Sequence, residues 1–376
     1  MKKIIQSASL LIFSVVISIL LAEAIARTVN PVPTKIMHFE TNALEWNEFL
    51  GNNRFKKNSI SIQTNGHFFA DIFIDTYGTR VNSKDDINRK LSVVSEIAIA
   101  IGDSQTFGHG IANQDTWPSQ LSKINAETIL NFGVPGYGVY QYDRLIKSNI
   151  KKFNVTKVYI GLTDNDLCSA TSENYKPNSI AKKQLTADRS HLNYLKRNTS
   201  EYLSRYTSIG NLISKAHQNF HKIKNSFSKT SIGSYLKNLK HQMTGSPSNK
   251  QHQKDQLSNG ECLSSIARWV ANISKHLQEK DIEVVITHIP NGLRLIDEIN
   301  HNKSNIHYKA IVNKLSEMAS DYGFTFSNPR NSIKEIYLSN SRERTSIILP
   351  VNSHNSYGSN KAIAETVHKS SLFKKM

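Results

Sequence analysis

The residues best suited to covalent chemistry lie in a short stretch that contains Gly102, Asp103 and Ser104. The preceding run, residues 97–101, consists of isoleucine and alanine, a pattern that predicts a buried strand. Gly102 lets the backbone turn sharply and leaves Ser104 exposed at the carboxyl end of that strand. Open α/β sheets bind ligands at this edge, so Ser104 is placed to act as a nucleophile. The alternative is an ordinary strand-to-helix turn in which Ser104 only caps the following helix.

The elements that must position Ser104 are predicted to be strands that alternate with helices. Apolar residues recur at helical spacing over 263–277 and 308–319. Strands separated by such helices form a parallel sheet covered on both faces, so the predicted fold class is α/β with three layers, αβα. The five predicted strands are Ile97–Ile101, Thr128–Phe132, Lys157–Leu162, Glu283–Ile289 and Phe324–Phe326.

Residues 31–95 are predicted to be a β-rich lead-in to this sheet. Residues 59–63 alternate between polar and apolar, residues 68–74 are apolar and β-prone, and Asp75–Arg80 carries a turn signal. We therefore expect a small β-ribbon packed on the main sheet.

Three short motifs follow the first three predicted strands in order, and a late histidine comes after them. They are Gly102–Ser104, Asn131–Gly138, Gly161–Asp166 and His354. This succession resembles the four blocks of the SGNH/GDSL hydrolases, and most of all their membrane-anchored bacterial members, which share a lead-in like Asp75–Arg80. The resemblance covers about residues 70–170 well and 260–370 loosely. It implies an SGNH hydrolase-like fold with a five-stranded parallel sheet in flavodoxin-like order.

The resemblance also implies roles for individual residues. Ser104 would be the nucleophile, and the oxyanion would be held by the backbone N–H groups of Ser104 and Gly136 and by the side-chain amide of Asn165. The residue types agree with these roles, since Gly136 lies in a Pro-Gly turn and Asn165 follows a strand at the same sheet edge. The alternatives are that Gly136 only satisfies turn geometry and that Asn165 only caps a helix.

The fourth block departs from the family pattern. Members of the family carry an Asp two or three residues before the catalytic His and a Gly five residues after it. Here Gly358 comes four residues after His354, and neither expected position holds a carboxylate. We prefer His354 as the base with Asn352 in place of the Asp; the alternative register puts Ser353 at the histidine position. An amide orients an imidazole but supplies no charge to an imidazolium, so low activity is expected.

Two other histidines lie near the predicted strand ends. His109 is predicted to point along the loop after Ser104. His288 is near the end of a predicted strand, where one alternative is that it faces the site and the preferred one is that it acts through another residue. The 14 histidines and 2 cysteines show no metal-ligand spacing. We predict no metal and no cofactor.

The N-terminus predicts a membrane segment. Two lysines precede residues 4–22, which are 19 mostly apolar residues, long enough to span a bilayer. With the basic end inside, the rest of the chain would face the periplasm from a single-pass inner-membrane anchor. A cleaved signal is the alternative, because Ala22-Glu23-Ala24 resembles a cleavage site, although cleaved signals usually have an apolar region of about 7–15 residues. Cys168 and Cys262 would then lie in an oxidising compartment, either paired or as buried thiols.

The net charge of +17 first suggests nucleic acid, but its distribution argues against that partner. Residues 171–260 hold 15 Lys/Arg against 4 Asp/Glu and contain no recognisable nucleic-acid motif. We predict a solvated, basic helical insertion there, with anionic lipid headgroups as the best functional partner. The predicted organisation is an anchor or signal at 1–30, the lead-in at 31–95, and a hydrolase-like domain at 96–376 that contains the insertion.

Two function classes follow. The preferred one is an exported serine esterase or O-acyltransferase acting on acyl esters of a cell-envelope glycan or a small ester, through Ser104 and His354. The alternative is a catalytically weakened binding or scaffold protein of the same fold in envelope polysaccharide assembly, which the missing carboxylate favours. Hydrolysis and transfer share one acyl-enzyme, so the sequence leaves that choice open.

Overall fold

The computed structural model describes residues 2–29, 38–39, 43–64, 69–92, 94–166, 259–301, 306–349 and 354–373. They belong to two compact units, one with the N-terminal helix and the other with the sheet and its helices. The predicted insertion at 171–260 lies outside the described residues except for its last two positions. The domain boundaries drawn from the sequence therefore stay predictions.

The described part of the first unit is one long helix, α1, which covers Lys2–Val29 and includes the predicted span at 4–22. Among the described residues, no helix combines the length and the apolar character that crossing a membrane requires. The anchor at 4–22 stays a prediction.

The second unit is built on a mixed sheet of nine strands, with a separate two-stranded hairpin, β2–β3. Its parallel part has the order β8-β7-β9-β10-β11, the flavodoxin-like order predicted from the sequence. The strands are β1 His38–Phe39, β2 Leu44–Asn47, β3 Asn52–Phe55, β4 Ser59–Thr64, β5 Phe69–Ile74, β6 Arg80–Val81, β7 Ile97–Gly102, β8 Ile129–Asn131, β9 Val155–Thr163, β10 Glu283–Ile289 and β11 Thr325–Ser327.

The five predicted parallel strands are confirmed, but one expectation about the sheet was wrong. In the described residues the whole sheet has nine strands, because the lead-in continues it instead of packing on it. Strands β1, β4, β5 and β6 pair antiparallel, and β6 then pairs with β8 through Arg80 and Asn131. The unpaired edge that β8 would otherwise expose is thereby used in hydrogen bonding.

Helices cover both faces of the parallel sheet, as the three-layer prediction requires. The described helices of this unit are α2 Ser104–Phe107, α3 Trp117–Asn125, α4 Val139–Asn149, α5 Asn259–Gln278, α6 Gly292–His301, α7 Ile306–Asp321, α8 Arg330–Ser339 and α9 Tyr357–Phe373. Strand β7 contacts both layers. Its residues Ile97, Ile99 and Ile101 pack on one face with α4, α5 and α7, while Ala98 and Ala100 face the layer that holds α3, α6, α8 and α9.

The short helix α2 sits directly on the strand ends because glycines leave room for it. A Cβ added to Gly102 would lie 2.6 Å from the Cβ of Thr106, and one added to Gly161 on the neighbouring strand would overlap the Thr106 hydroxyl. Thr106 itself is fully buried. Any side chain at Gly102 or Gly161 would therefore push α2, and Ser104 with it, off the sheet.

We expect Gly102→Ala to lower the free energy of unfolding by roughly 1–3 kcal/mol, the usual cost of overpacking a core. Gly78→Ala is the matched control: its added Cβ would meet nothing nearer than 3.8 Å, so only its positive φ of +86° opposes the change. Urea unfolding measures both variants. If Gly102→Ala is no less stable than Gly78→Ala, the contact between α2 and the strand ends is not a packing constraint.

Candidate active site

The structure brings Ser104 and His354 together. Ser104 begins α2, whose N-cap residue Asp103 accepts the backbone N–H of Gln105 at 2.8 Å. The Ser104 Oγ lies 2.9 Å from Nε2 of His354, which comes from the loop before α9. Asn355 donates its backbone N–H to Gln105 Oε1 at 3.1 Å, so the His354 loop is tied to α2. Of the two registers weighed for the fourth block, the contact with Ser104 is made by His354.

The protonation of His354 suits a general base. Burial lowers the pKa of His354 to about 4. The imidazole is therefore neutral at neutral pH. In a neutral imidazole one ring nitrogen carries no proton and accepts one. With Nε2 as the acceptor, the 2.9 Å contact is a path for the Ser104 proton.

His109 does not point along its loop, as the sequence suggested, but stacks on His354. The two ring centroids are 4.2 Å apart, and the planes differ by 24°. The side-chain nitrogen of Gln63 lies 2.6 Å from Nδ1 of His109, and Gln63 Oε1 accepts the N–H of Gly110 at 2.8 Å. Burial, together with the charges of His354 and Arg80, lowers the pKa of His109 to about 2. His109 is thus an uncharged ring that stacks on His354 and fixes the plane of its imidazole.

Arg80 braces the segment that follows the nucleophile. Its guanidinium is buried and donates to Asn113 Oδ1 at 2.7 Å and to the backbone oxygens of Phe107, Gly108 and Ile111 at 2.8, 2.5 and 2.6 Å. Burial lowers the pKa of Arg80 to about 9. These contacts fix the loop that carries His109.

The three predicted oxyanion donors are each available for a ligand. Gly136 has a φ of +80° and is exposed, with nothing within 4 Å of an added Cβ. Within the described parts of the chain, no group accepts the backbone N–H of Ser104 or Gly136. Asn165 donates one amide N–H to Asp103 Oδ2 at 3.2 Å and keeps the other. Their joint role stays a prediction.

A buried carboxyl pair, which the sequence did not reveal, supports Asn165. Asp103 and Asp166 are 3% and 1% exposed, and both lie within hydrogen-bond distance of the Thr163 hydroxyl, at 3.2 and 3.0 Å. That hydroxyl is also 2.6 Å from the amide oxygen of Asn165, while Thr163 N donates to Asp166 Oδ2 at 2.8 Å. Tyr142 donates to the other Asp166 oxygen at 3.1 Å.

Burial works against a double negative charge on this pair. The Thr163 hydroxyl has a single proton, and three acceptors lie within hydrogen-bond distance of it. Burial raises the pKa of both carboxyls, and for Asp166 the negative charge of Asp103 raises it further. We therefore expect the pair to keep one proton at neutral pH. Asn165 is held with its oxygen toward Thr163.

This proton makes stability depend on pH. The folded chain keeps a proton that an unfolded Asp releases above about pH 4, so rising pH lowers stability by about 1.4 kcal/mol per pH unit until the folded pair ionises. Asp166→Asn is neutral at every pH and should lose that dependence. Urea unfolding between pH 5 and 8 measures the difference, with the exposed Asp321→Asn as control. His354 and His109, whose pKa values are lowered, contribute an opposite slope that is equal in all three proteins. Parallel curves for wild type and Asp166→Asn would mean that the pair carries no proton.

The remaining predicted residues lie elsewhere or outside the described residues. His288 is buried against Asp164, with Nε2 3.3 Å from the carboxylate, and Asp164 also pairs with Arg294 at 3.2 Å. Asn352, the predicted replacement for the family Asp, lies outside the described residues, as does Ser353. In the part of the chain that is described, no cluster of three or more His, Cys, Asp or Glu side chains is arranged to hold a metal ion.

No family model matches this chain, and no curated protein matches it. Among solved structures it is similar to a lipolytic protein of the G-D-S-L family from Desulfitobacterium hafniense, at 10% identity and a TM-score of 0.37, covering 73% of this chain and 98% of that one. It is also similar to TesA, at 9% identity and a TM-score of 0.39, covering 74% of this chain and 99% of that one. A third similar structure is an acetyl xylan esterase, AlAXEase, at 13% identity and a TM-score of 0.38, covering 73% of this chain and 98% of that one. With TM-scores below 0.5, these similarities assign no activity to this chain.

Proposed function

We propose that this chain is a serine hydrolase or acyltransferase that acts on acyl esters. The observation that carries the proposal is the 2.9 Å contact between Ser104 Oγ and Nε2 of His354. This contact lies at the carboxyl edge of the parallel sheet. The backbone N–H groups of Ser104 and Gly136 donate to no group in the described part of the chain.

In the proposed reaction, Ser104 Oγ attacks the ester carbonyl while its proton passes to His354 Nε2. The oxyanion that forms is held by the N–H groups of Ser104 and Gly136 and by the free amide N–H of Asn165. Collapse breaks the bond to the leaving alcohol, which takes the proton from His354. Water, or the hydroxyl of an acceptor, then attacks the acyl-serine with His354 again as base. The acceptor alone separates hydrolysis from transfer.

The substrate that we propose is an acyl ester of a cell-envelope glycan. The alternative function, a weakened binding or scaffold protein, is favoured by one observation: the sequence has Asn352 where the family pattern has a carboxylate. An imidazolium without a counter-charge would slow the reaction, and the two functions differ in whether Ser104 is reactive.

Reactivity of Ser104 is tested with a serine-directed fluorophosphonate, which needs only an activated hydroxyl. We expect wild type to be labelled, Ser104→Ala not at all, and His354→Ala at least ten-fold more slowly. Because the pKa of His354 is about 4, the labelling rate should stay level from pH 8 to pH 5 and fall below that, as long as circular dichroism shows a folded chain. Equal labelling of wild type and Ser104→Ala would end the enzyme proposal in favour of the scaffold.

We also propose that the chain is exported and stays at the inner membrane through α1. Two observations support this. Cys262 is disulfide-bonded, which is typical of an oxidising compartment. Cys168, the other cysteine of the sequence, lies outside the described residues. The large apolar side chains described in α1, among them Leu10 and Phe13 at 73% and 65% exposure, face solvent.

Export is tested by fusing alkaline phosphatase to the C-terminus of the full chain. We expect an active fusion that sediments with membranes and is released by detergent but not by high salt. A soluble, active periplasmic fusion would mean export with cleavage near Ala24, and an inactive fusion that is expressed at equal level would overturn export itself.

A further inference from the structure

A concave site lies along α4, the helix that follows the Gly136 loop. It is a cavity of about 490 Å³ between the turn of the β2–β3 hairpin and the outer face of α4. Phe49 from the hairpin turn and Tyr140 and Arg144 from α4 form its wall. Its size is within the range of pockets that bind small molecules or a few sugar units.

Arg144 is the central feature of this cavity. Its guanidinium carbon lies 4.7 Å from the ring centroid of Phe49 and 4.7 Å from that of Tyr140. The two rings pack against the guanidinium. In the described part of the chain, the N–H groups of Arg144 donate no hydrogen bond and form no ion pair. A planar cation held in place with unused donors is prepared for a carboxylate or a phosphate.

Lysines extend the positive charge along the cavity. Lys147 pairs with Asp143 at 2.9 Å, whereas Lys151 and Lys152 form no ion pair with any described residue. Lysines at the end of a helix also stabilise its dipole, which by itself accounts for these three. It does not account for Arg144, which lies in the middle of α4 between two aromatic rings.

The cavity and the candidate oxyanion loop are built from the same two segments. Asn52, at the start of β3, donates to the backbone oxygen of Gly136 at 3.2 Å. Gln141 in the first turn of α4 donates to the backbone oxygen of Leu50 at 3.0 Å and accepts the N–H of Gly138 at 3.1 Å. The hairpin turn, the Gly136 loop and the start of α4 are thus one hydrogen-bonded unit, which fixes the wall of the cavity relative to the candidate oxyanion donor Gly136.

We propose that this cavity binds the anionic part of the ester substrate, and that the substrate is an acidic glycan. A sugar carboxylate binds the donors of Arg144, the lysines attract further charges along the polymer, and Phe49 and Tyr140 offer apolar faces to sugar rings. The inference rests on the proposed function, because it names the substrate class of that same site.

Binding is tested apart from catalysis, with full-length Ser104→Ala and an oligogalacturonate without ester groups. Calorimetry should show binding that weakens as salt increases. Adding Arg144→Gln should weaken it about ten-fold or more, which corresponds to about 1.4 kcal/mol. Lys334→Gln on α8 removes the same charge from the opposite helical layer and should change binding less than two-fold, roughly. Equal weakening by both variants, or none by Arg144→Gln, would overturn the proposal.

Turnover is tested with the acetylated oligogalacturonate and an acetylated neutral galactan. Arg144→Gln should raise KM for the acidic substrate about ten-fold, leave kcat unchanged, and leave both constants unchanged for the neutral one. If the oligogalacturonate binds through Arg144 but the fluorophosphonate does not label Ser104 of wild type, the proposed function fails and the cavity proposal stands. If acetate is released and Arg144→Gln behaves as wild type, only the cavity proposal fails. Binding to phosphatidylglycerol vesicles through Arg144, without oligogalacturonate binding, would replace the glycan by a lipid.

Discussion

The candidate site depends on the close approach of α2 to the strand ends beneath it. A helix of four residues cannot be stable on its own, because helix nucleation costs more than so few hydrogen bonds return. What holds α2 is packing: Thr106 fills the space that Gly102 and Gly161 leave open on adjacent strands. The same contact sets the height of Ser104 above the sheet, and therefore its distance from His354, which comes from a loop 250 residues later in the chain.

The antiparallel strands before β7 support this arrangement from the side. Arg80 on β6 donates to three backbone oxygens of the loop after α2, and Gln63 on β4 holds the ring of His109. That ring in turn lies flat against His354. The lead-in therefore helps to hold the site, because without Arg80 the buried backbone oxygens of Phe107, Gly108 and Ile111 would each lose a donor.

Local patterns were sufficient to predict the parallel strands and their flanking helices, because apolar runs bounded by glycine indicate strands. The succession of motifs singled out Ser104 and His354, and their side chains lie 2.9 Å apart. The carboxyl pair of Asp103 and Asp166 was missed because pairing depends on the register of β7 and β9, which no single stretch of sequence encodes. The stacking of His109 was missed for the same reason: it requires a loop, a strand of the antiparallel part of the sheet and a distant segment to meet.

The energetics of the candidate base limit what the site can do without a substrate. A histidine whose pKa has fallen from 6.5 to about 4 resists protonation by roughly 3 kcal/mol relative to one in water. Proton transfer from Ser104 to His354 is therefore unfavourable until a partner charge appears. In the proposed reaction that charge is the oxyanion, and one well-placed donor in such a site contributes about 2.7–4 kcal/mol. In that reaction, donors at Ser104, Gly136 and Asn165 offset the cost, so attack depends on a carbonyl that reaches them. The carboxyl pair beside Asn165 bears on the same balance. Burial raises the pKa of both carboxyls, which works against a second negative charge close to that oxyanion.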